Sequence, residues 1–184
     1  MRIIAGSLKG KKLHPIKGTT IRPTADRLRE SIFNILSFHV RDAVVLDLFA
    51  GTGALGIEAL SRVASFAVFL DKYKNSISII KQNIRSCALE NRTNVIQWDI
   101  EKNLNCIRSA PTPFNLVFMD PPYNKNLVKP TLRNLHIAHA LEKDALIVAE
   151  HSDSETIPED CPGYTIAEQR RYGKTLVSFL NYMV

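Results

Sequence analysis

Two kinds of apolar pattern alternate along the chain. Short, nearly continuous apolar runs of strand length are followed by longer segments whose apolar residues recur every three or four positions. The predicted strands are AVVLDLF (43–49), SFAVFLD (65–71), NVIQW (94–98), NLVFMD (115–120) and ALIVAE (145–150). The predicted helices between them are at 53–62, 75–88, 101–108 and 128–139. This alternation is typical of a parallel, doubly wound α/β sheet of the Rossmann-like type.

The period changes near the carboxyl terminus. Residues 164–171 and 175–183 alternate as strands do, and Tyr172-Gly173-Lys174 between them predicts a hairpin turn. Five alternating strands and this hairpin predict a mostly parallel seven-stranded sheet that contains one antiparallel strand.

A different pattern precedes the sheet. Two strand-like pieces, 2–5 and 11–14, are separated by glycines and predict a small β-hairpin. The segment RPTADRLRESIFNILSF (22–38) then predicts a helix, because its apolar residues form one stripe. We therefore divide the chain into an N-terminal extension, 1–41, and a catalytic domain, 42–184.

Charge separates these two regions further. Residues 1–41 hold nine Lys and Arg against two acids, whereas residues 42–184 are close to neutral, so the net charge of +6 comes from the extension. A basic patch on a near-neutral domain indicates binding to a polyanion such as RNA. A merely solubilising arm is the alternative. The candidate RNA-binding residues are Arg2, Lys9, Lys11, Lys12, Arg22 and Arg29. For Arg22 and Arg29, a structural ion pair with Glu30 or Asp26 is as well supported by the sequence as a contact with RNA.

Composition excludes several classes of protein. With 45% apolar and 23% charged residues, the 184-residue chain has the composition of a globular domain. It has no apolar run long enough for a membrane span. Its three cysteines have no metal-binding or disulfide spacing, and His136 and His139 have no further ligands nearby. We expect a cytoplasmic, monomeric protein without a metal.

A glycine-rich loop follows the first predicted strand. Gly51, Gly53 and Gly56 fit the pattern G-x-G-x-x-G, and Asp71 ends the next strand. In nucleotide-binding folds such glycines let the backbone approach a ligand, and the acid accepts hydrogen bonds from ribose hydroxyls. Asp47 and Asp120 would add two carboxylates beside this loop. Carboxylates repel a pyrophosphate but attract the positive charges of S-adenosylmethionine, which is therefore the predicted cofactor.

The fourth strand ends in Asp120-Pro121-Pro122-Tyr123. Beside a methyl donor, this sequence suits transfer to an exocyclic amino group of a base. The Asp120 carboxylate and the Pro121 carbonyl would accept the two N–H bonds of the amino group. Neither proline has an N–H that could compete for these acceptors. Tyr123 would stack on the base. A simple strand-terminating turn would explain the prolines but not the acid and the ring.

These motifs together resemble the bacterial RsmD family of 16S rRNA guanine-N2 methyltransferases. The resemblance rests on DLFAGTGALGIEALSR, DPPY, RPTADRLRE and the terminal RRYGKTLVSFL, and covers nearly the whole chain. It implies that the substrate is 16S rRNA of the small ribosomal subunit. It also implies that Asp120, Pro121, Pro122 and Tyr123 hold the guanine.

By the same resemblance, the cofactor is bound along the ends of the first three strands. Asp47 and the glycine loop would meet its methionine part, Asp71 its ribose and Asp99 its adenine amino group. The full cofactor set is Asp47, Phe49, Ala50, Gly51, Thr52, Gly53, Asp71, Lys72, Asp99 and Ile100. Thr52, Asp71 and Trp98 depart from the residues usual in the family at their positions.

Two other functions remain open at this point. One is a DNA adenine-N6 or cytosine-N4 methyltransferase, which would use the same site on another base. The other is a catalytically silent RNA-binding protein that keeps the fold of a methyltransferase.

Overall fold

The computed structural model describes residues 1–16, 23–157 and 161–184. Its helices are α1 (Pro23–Ile35), α2 (Ala54–Ser61), α3 (Lys74–Ser86) and α4 (Val128–Ala138). Its strands are β1 (Val44–Leu48), β2 (Phe66–Asp71), β3 (Thr93–Gln97), β4 (Phe114–Met119), β5 (Leu141–Ser152), β6 (Tyr164–Tyr172) and β7 (Thr175–Tyr182).

The strands form one seven-stranded sheet in the order β3-β2-β1-β4-β5-β7-β6. The pairs from β3 to β5 are parallel, and β7 lies antiparallel to both β5 and β6. The predicted fold is therefore confirmed, including the single antiparallel strand. The strand order reverses at β1, which lies between β2 and β4. At such a switch point the carboxyl ends of the strands open a crevice for ligands.

Apolar side chains on the two faces of the sheet form two buried clusters. One contains Phe69 and Phe118 together with residues of α1, such as Phe33, and Ile3 from the N-terminal segment. The other cluster lies under α4 on the opposite face. Because Ile3 and α1 share the first cluster with the sheet, the N-terminal segment and α1 pack directly on the sheet.

The predicted helix at 101–108 is wrong in extent. Only a short 3-10 turn, Asn105–Ile107, is found there. Polar side chains just before it accept backbone N–H groups: Asp99 accepts from Glu101 at 3.3 Å and Asn103 from Asn105 at 3.0 Å. Such local side-chain bonds compete with helical hydrogen bonds, which explains why a regular helix does not form.

The basic hairpin is present as a tight loop with little strand character. Arg2 and Lys12 form an isolated antiparallel bridge, and the Ile3 N–H donates to the Lys11 carbonyl at 2.9 Å. Gly6 has a φ of 81°, and a Cβ there would lie 1.9 Å from the Ser61 carbonyl oxygen. The glycine is therefore required for the loop to sit against α2.

The loop is fastened to α2 by one buried carboxylate. Glu58 is fully buried and accepts the backbone N–H groups of Ile4 and Ala5 at 2.8 and 3.0 Å. It also pairs with Arg62 at 2.8 Å and Arg29 at 3.7 Å. A buried carboxylate needs such partners, so these contacts bind the extension and α2 into one unit.

Candidate active site

Two adjoining cavities lie beyond the carboxyl ends of β1, β2, β4 and β5. The larger has a volume of about 440 Å³ and the smaller about 190 Å³. Both are lined by Phe49, Gly51, Asp120 and Glu150. The predicted cofactor loop and the predicted catalytic motif therefore face one continuous crevice at the switch point of the sheet.

The glycine loop has the backbone geometry that its sequence predicts. Gly51 and Gly53 have φ values of 57° and 77°, in the left-handed region that favours glycine. Gly56 is needed for another reason, because a Cβ there would lie 2.4 Å from the Phe69 ring. The third glycine thus allows α2 to pack closely on β2, as expected for this motif.

Asp71 is held in place by the backbone around it. Its Oδ2 accepts the Gly51 N–H at 3.0 Å, and its Oδ1 accepts the Tyr73 N–H at 2.8 Å. The side chain is only 6% exposed, yet the residue lines the larger cavity. Each oxygen keeps a lone pair for a ligand, so the carboxylate can accept hydrogen bonds from two neighbouring hydroxyls.

Asp47 lies deeper, at the base of the smaller cavity. Its Oδ2 accepts the Gly56 N–H at 2.9 Å, and the residue is 2% exposed. Burial raises the pKa of Asp47 to about 8, because the charged form is poorly solvated there. A cation in the crevice would restore the ionised form, whereas a phosphate would oppose it.

Asp120 follows the last residue of β4 and faces both cavities. The residue as a whole is exposed, but its carboxyl group is desolvated. Desolvation there raises the pKa of Asp120 well above its ordinary value, and the charges of Glu150 and Asp47 add to the shift. Pro121 is buried, while Pro122 is exposed, and both line the larger cavity.

Tyr123 projects at the mouth of the larger cavity. Its ring is 39% exposed, and its hydroxyl donates to Glu150 and lies 3.2 Å from the Thr175 hydroxyl. Burial of the hydroxyl end and the Glu150 hydrogen bond raise the pKa of Tyr123. The ring is thus held at one end, while exposed surface remains on which a planar group could stack.

Glu150, near the end of β5, was missed in the sequence. It lines both cavities beside Asp120. Desolvation raises the pKa of Glu150, although the Tyr123 hydroxyl partly opposes the shift. The sequence does contain a feature that indicates a role for Glu150. The run ALIVAE predicts a strand of the same sheet, and the acid at the carboxyl end of this strand falls on the edge of the sheet where ligands bind.

The remaining cofactor candidates lie around this crevice in different ways. Phe49, Lys72 and Ile100 line the larger cavity, and Lys72 also pairs with Glu101. Ala50 and Thr52 line the smaller cavity. Asp99 is not among the lining residues of the cavities described, and its carboxylate lies 3.7 Å from Lys102. Its contact with an adenine stays a prediction.

The candidate RNA-binding residues divide into two groups. Arg2, Lys9, Lys11 and Lys12 are exposed on the N-terminal loop and are available to a large partner. Arg22 lies outside the described residues.

Arg29 is different, because it is 5% exposed. Its guanidinium donates to the Arg2 carbonyl at 2.6 Å and pairs with Asp26 at 3.2 Å and Glu58 at 3.7 Å. Burial lowers its pKa. This geometry favours the structural alternative for Arg29, with Glu58 as a partner that the sequence did not indicate.

Neither a metal-binding cluster nor a membrane-spanning helix is found within the described residues. No group of three or more His, Cys, Asp or Glu in that part of the chain could hold a metal ion. No helix there is long and apolar enough to cross a membrane.

Sequence comparisons place the chain among known proteins. The family model described as Conserved hypothetical protein 95 matches residues 1–181. YlbH of Bacillus subtilis is 38% identical over 97% of both chains. Ribosomal RNA small subunit methyltransferase D of Escherichia coli strain K12 is 33% identical, and the match covers 95% of this chain and 86% of that protein.

Structural comparisons agree with the sequence matches. The yhhF protein from Escherichia coli superimposes with a TM-score of 0.86 and 29% identity, covering 100% of this chain and 98% of that one. SMU.776, which was crystallised with S-adenosylhomocysteine (SAH), gives a TM-score of 0.67 at 16% identity, covering 88% of this chain and 50% of that one. At that identity the second likeness concerns the fold alone.

Proposed function

Because the chain belongs to the RsmD family, we propose that it methylates the exocyclic N2 amino group of a guanine in 16S rRNA. The coarser activity, methylation of ribosomal RNA with S-adenosylmethionine, is supported by relatives named ribosomal RNA small subunit methyltransferase D. The observation that carries the proposal is the position of Asp120 and Pro121, which face the same crevice as the glycine loop.

The crevice suits a cationic nucleoside. Asp71 offers lone pairs for the ribose hydroxyls, and the acids Asp47, Asp120 and Glu150 surround the space beside the glycine loop. A sulfonium and an ammonium would be stabilised there, and a pyrophosphate would not. When bound, S-adenosylmethionine supplies an electrophilic methyl group; the protein's residues position the acceptor.

Asp120 and Pro121 would act on the amino group of the base. The lone pair of that nitrogen is delocalised into the ring, so it is a poor nucleophile. Hydrogen bonds from its two N–H groups to the Asp120 carboxylate and the Pro121 carbonyl would draw it toward a tetrahedral shape. The lone pair would then point at the methyl group, and holding the reacting atoms in line supplies much of the rate enhancement.

Asp120 would also take the proton that the nitrogen loses after transfer. Desolvation raises the pKa of Asp120, so its carboxylate takes up a proton more readily than that of an ordinary aspartate. A general base works best when its pKa lies near the operating pH. Tyr123 would hold the base by stacking, with its ring fixed through Glu150 and Thr175.

The N-terminal extension would bind the RNA. The cations Arg2, Lys9, Lys11 and Lys12 are exposed and would contact phosphates, and residues 1–41 would serve as the RNA-binding part of a monomeric enzyme. Its substrate would be encountered in the cytoplasm, either as 16S rRNA or as the small ribosomal subunit.

Transfer of a labelled methyl group tests this proposal. The protein would be incubated with labelled S-adenosylmethionine and either undermodified small subunits, free 16S rRNA or duplex DNA. We expect label in one or both ribosomal substrates and none in DNA. Label in DNA would favour the DNA methyltransferase, and cofactor binding without any transfer would favour a silent RNA-binding protein.

A further inference from the structure

Glu150 and Asp120 lie side by side at the mouth of the crevice. The β4–β5 register pairs Met119 with Ala149, so Asp120 and Glu150 follow on neighbouring parallel strands. Backbones in such a pair are about 4.8 Å apart. Two acids so close together in a partly desolvated wall are costly unless a ligand bears donors for both.

Within the residues that the structure describes, one oxygen of Glu150 is hydrogen-bonded and the other is not. Oε1 accepts the Tyr123 hydroxyl, and no hydrogen bond to Oε2 is found within the described residues. Thr175 lies 3.2 Å from the same hydroxyl and so helps to fix it. The carboxylate is therefore oriented at one oxygen, while the other remains available to a ligand in the cavity.

The bases differ in what they present beside the amino group. In guanine, the N2 amino group is flanked by two ring nitrogens: N3, which is an acceptor, and N1, which carries a hydrogen and is a donor. In adenine and cytosine, the ring nitrogen next to the amino group is an acceptor. A base held in an enzyme pocket is read by hydrogen bonds along this edge. An ionised carboxylate beside the amino group would accept from guanine and would repel the other two bases.

We propose that Glu150 selects guanine by accepting its N1–H through Oε2, while Asp120 and Pro121 hold the N2 amino group. This specificity role rests on the proposed guanine-N2 activity and deepens it. It assigns a base-reading contact to the acid that the sequence motifs leave out, and it gives each of the paired acids one donor on the same edge of the base.

The purine analogue 2-aminopurine tests the N1 contact. It has the same 2-amino group as guanine, but its N1 is an unprotonated acceptor. It also lacks O6, and because the wild-type protein and a Glu150 variant both meet that difference, the change in their rate ratio reports on N1. Small subunits would be reconstituted with 16S rRNA carrying either guanine or 2-aminopurine at the target position. Single-turnover rates on the two substrates would be measured for the wild-type protein and for Glu150→Gln.

The wild-type protein should prefer guanine by about tenfold or more, the usual discrimination of a good base-edge contact. In Glu150→Gln, the amide oxygen can still accept the Tyr123 hydroxyl, which turns the amide N–H₂ toward the base. The amide N–H₂ would repel guanine, whose N1 is a donor, and would donate to 2-aminopurine, whose N1 is an acceptor. The ratio of the two rates should therefore fall by at least about tenfold, because guanine becomes slower and 2-aminopurine does not.

Thr175→Ala is the matched control, since it removes the other partner of the Tyr123 hydroxyl. It should alter both rates by the same factor and leave the ratio unchanged. Calorimetry with SAH should give Glu150→Gln an affinity within a few-fold of wild type. An unchanged ratio in Glu150→Gln, or loss of both activities, would mean that Glu150 only supports Tyr123. A wild-type protein inactive on the guanine subunits would instead overturn the proposed function itself.

Discussion

The two sides of the crevice are built differently. On the cofactor side, Asp47 and Asp71 are 2% and 6% exposed and are held by backbone N–H groups of Gly56, Gly51 and Tyr73. On the base side, Asp120 and Tyr123 are exposed, and Tyr123 is fixed only through side chains. The cofactor side is thus already organised, whereas the base side leaves its polar groups open for a partner.

This difference separates binding from catalysis. Groups on the cofactor side serve both the loop structure and the ligand, so their loss should weaken cofactor binding and also disturb the fold locally. Groups on the base side make few contacts within the protein. Their loss should leave the fold and the cofactor affinity nearly intact and act on the transfer step.

Asp120→Ala should produce the largest effect. The rate of methyl transfer should fall by roughly 100-fold to 1,000-fold, the scale seen when one preorganised polar contact at a reacting group is removed. SAH affinity, measured by calorimetry, should stay within a few-fold of wild type because the partner of Asp120 is the base. Transfer at the wild-type rate would contradict the assigned mechanism.

Asp71→Ala tests the opposite side. It removes the acceptor proposed for the ribose and leaves the N–H groups of Gly51 and Tyr73 without their partner. The loss of even one hydrogen bond to a charged group costs about 1.5–3 kcal/mol, so affinity should fall by at least roughly tenfold to 100-fold. Calorimetry should also show that NAD binds more weakly than S-adenosylmethionine. Tighter binding of NAD would overturn the cofactor assignment.

Tyr123 separates stacking from hydrogen bonding on the base side. Tyr123→Phe keeps the ring and should retain much of the activity. Tyr123→Ala loses a stacking contact worth about 1–3 kcal/mol, so its rate on subunits should fall by roughly fivefold to 100-fold. Equal rates for the two variants would show that the ring does not hold the base.

Asp47 makes cofactor binding depend on pH. Its pKa of about 8 means that it is mostly protonated in the free protein at pH 7, and a cationic ligand favours its ionised form. Affinity for S-adenosylmethionine should therefore rise with pH, by up to about tenfold between pH 6 and 7. Other charged groups also line the two cavities and can act on the titration of Asp47; they include Asp71, Asp120, Glu150 and Arg29.

Asp47→Asn identifies the titrating group. Calorimetry in two buffers of different ionisation enthalpy should show proton release on binding by the wild-type protein. The variant should release fewer protons, and its affinity should vary less with pH. The same linkage acts on folding: because the folded pKa is raised, the stability that Asp47 contributes is present at low pH and is lost as pH rises toward 8. Identical proton release in both proteins would exclude Asp47.

Substitutions in the N-terminal loop should have the smallest effect, and this effect should be confined to RNA binding. Replacing Lys9, Lys11 and Lys12 by alanine should weaken RNA binding and flatten its dependence on salt, by up to about 0.9 per lost phosphate contact on a duplex. Filter binding across a range of salt concentrations measures the slope. The residues are exposed, so folding and SAH affinity should not change. An unaltered slope would support a solubilising role.

Features that depend on local sequence could be predicted, whereas contacts between distant segments could not. The sheet, its single antiparallel strand and the roles of Gly51 and Gly53 follow from local patterns, because periodicity and backbone conformation are local properties. The 3-10 turn at Asn105–Ile107 was overpredicted as a helix, because side-chain acceptors override the apolar spacing.

Contacts between distant segments could not be predicted in this way. Glu58 lies in α2 within a recognisable motif, yet its partners Ile4, Ala5 and Arg29 come from elsewhere in the chain. For Glu150, the strand was predictable, but its contact with Tyr123 depends on how β5 lies beside β4 and β7. Such pairings are decided by tertiary packing.

The identity of the methylated nucleoside tests the central claim most directly. Undermodified small ribosomal subunits would be incubated with the protein and S-adenosylmethionine, and their 16S rRNA digested and examined by mass spectrometry. We predict N2-methylguanosine at a single position, present with the wild-type protein and lost with Asp120→Ala. N6-methyladenosine, N4-methylcytosine or no new nucleoside would contradict it.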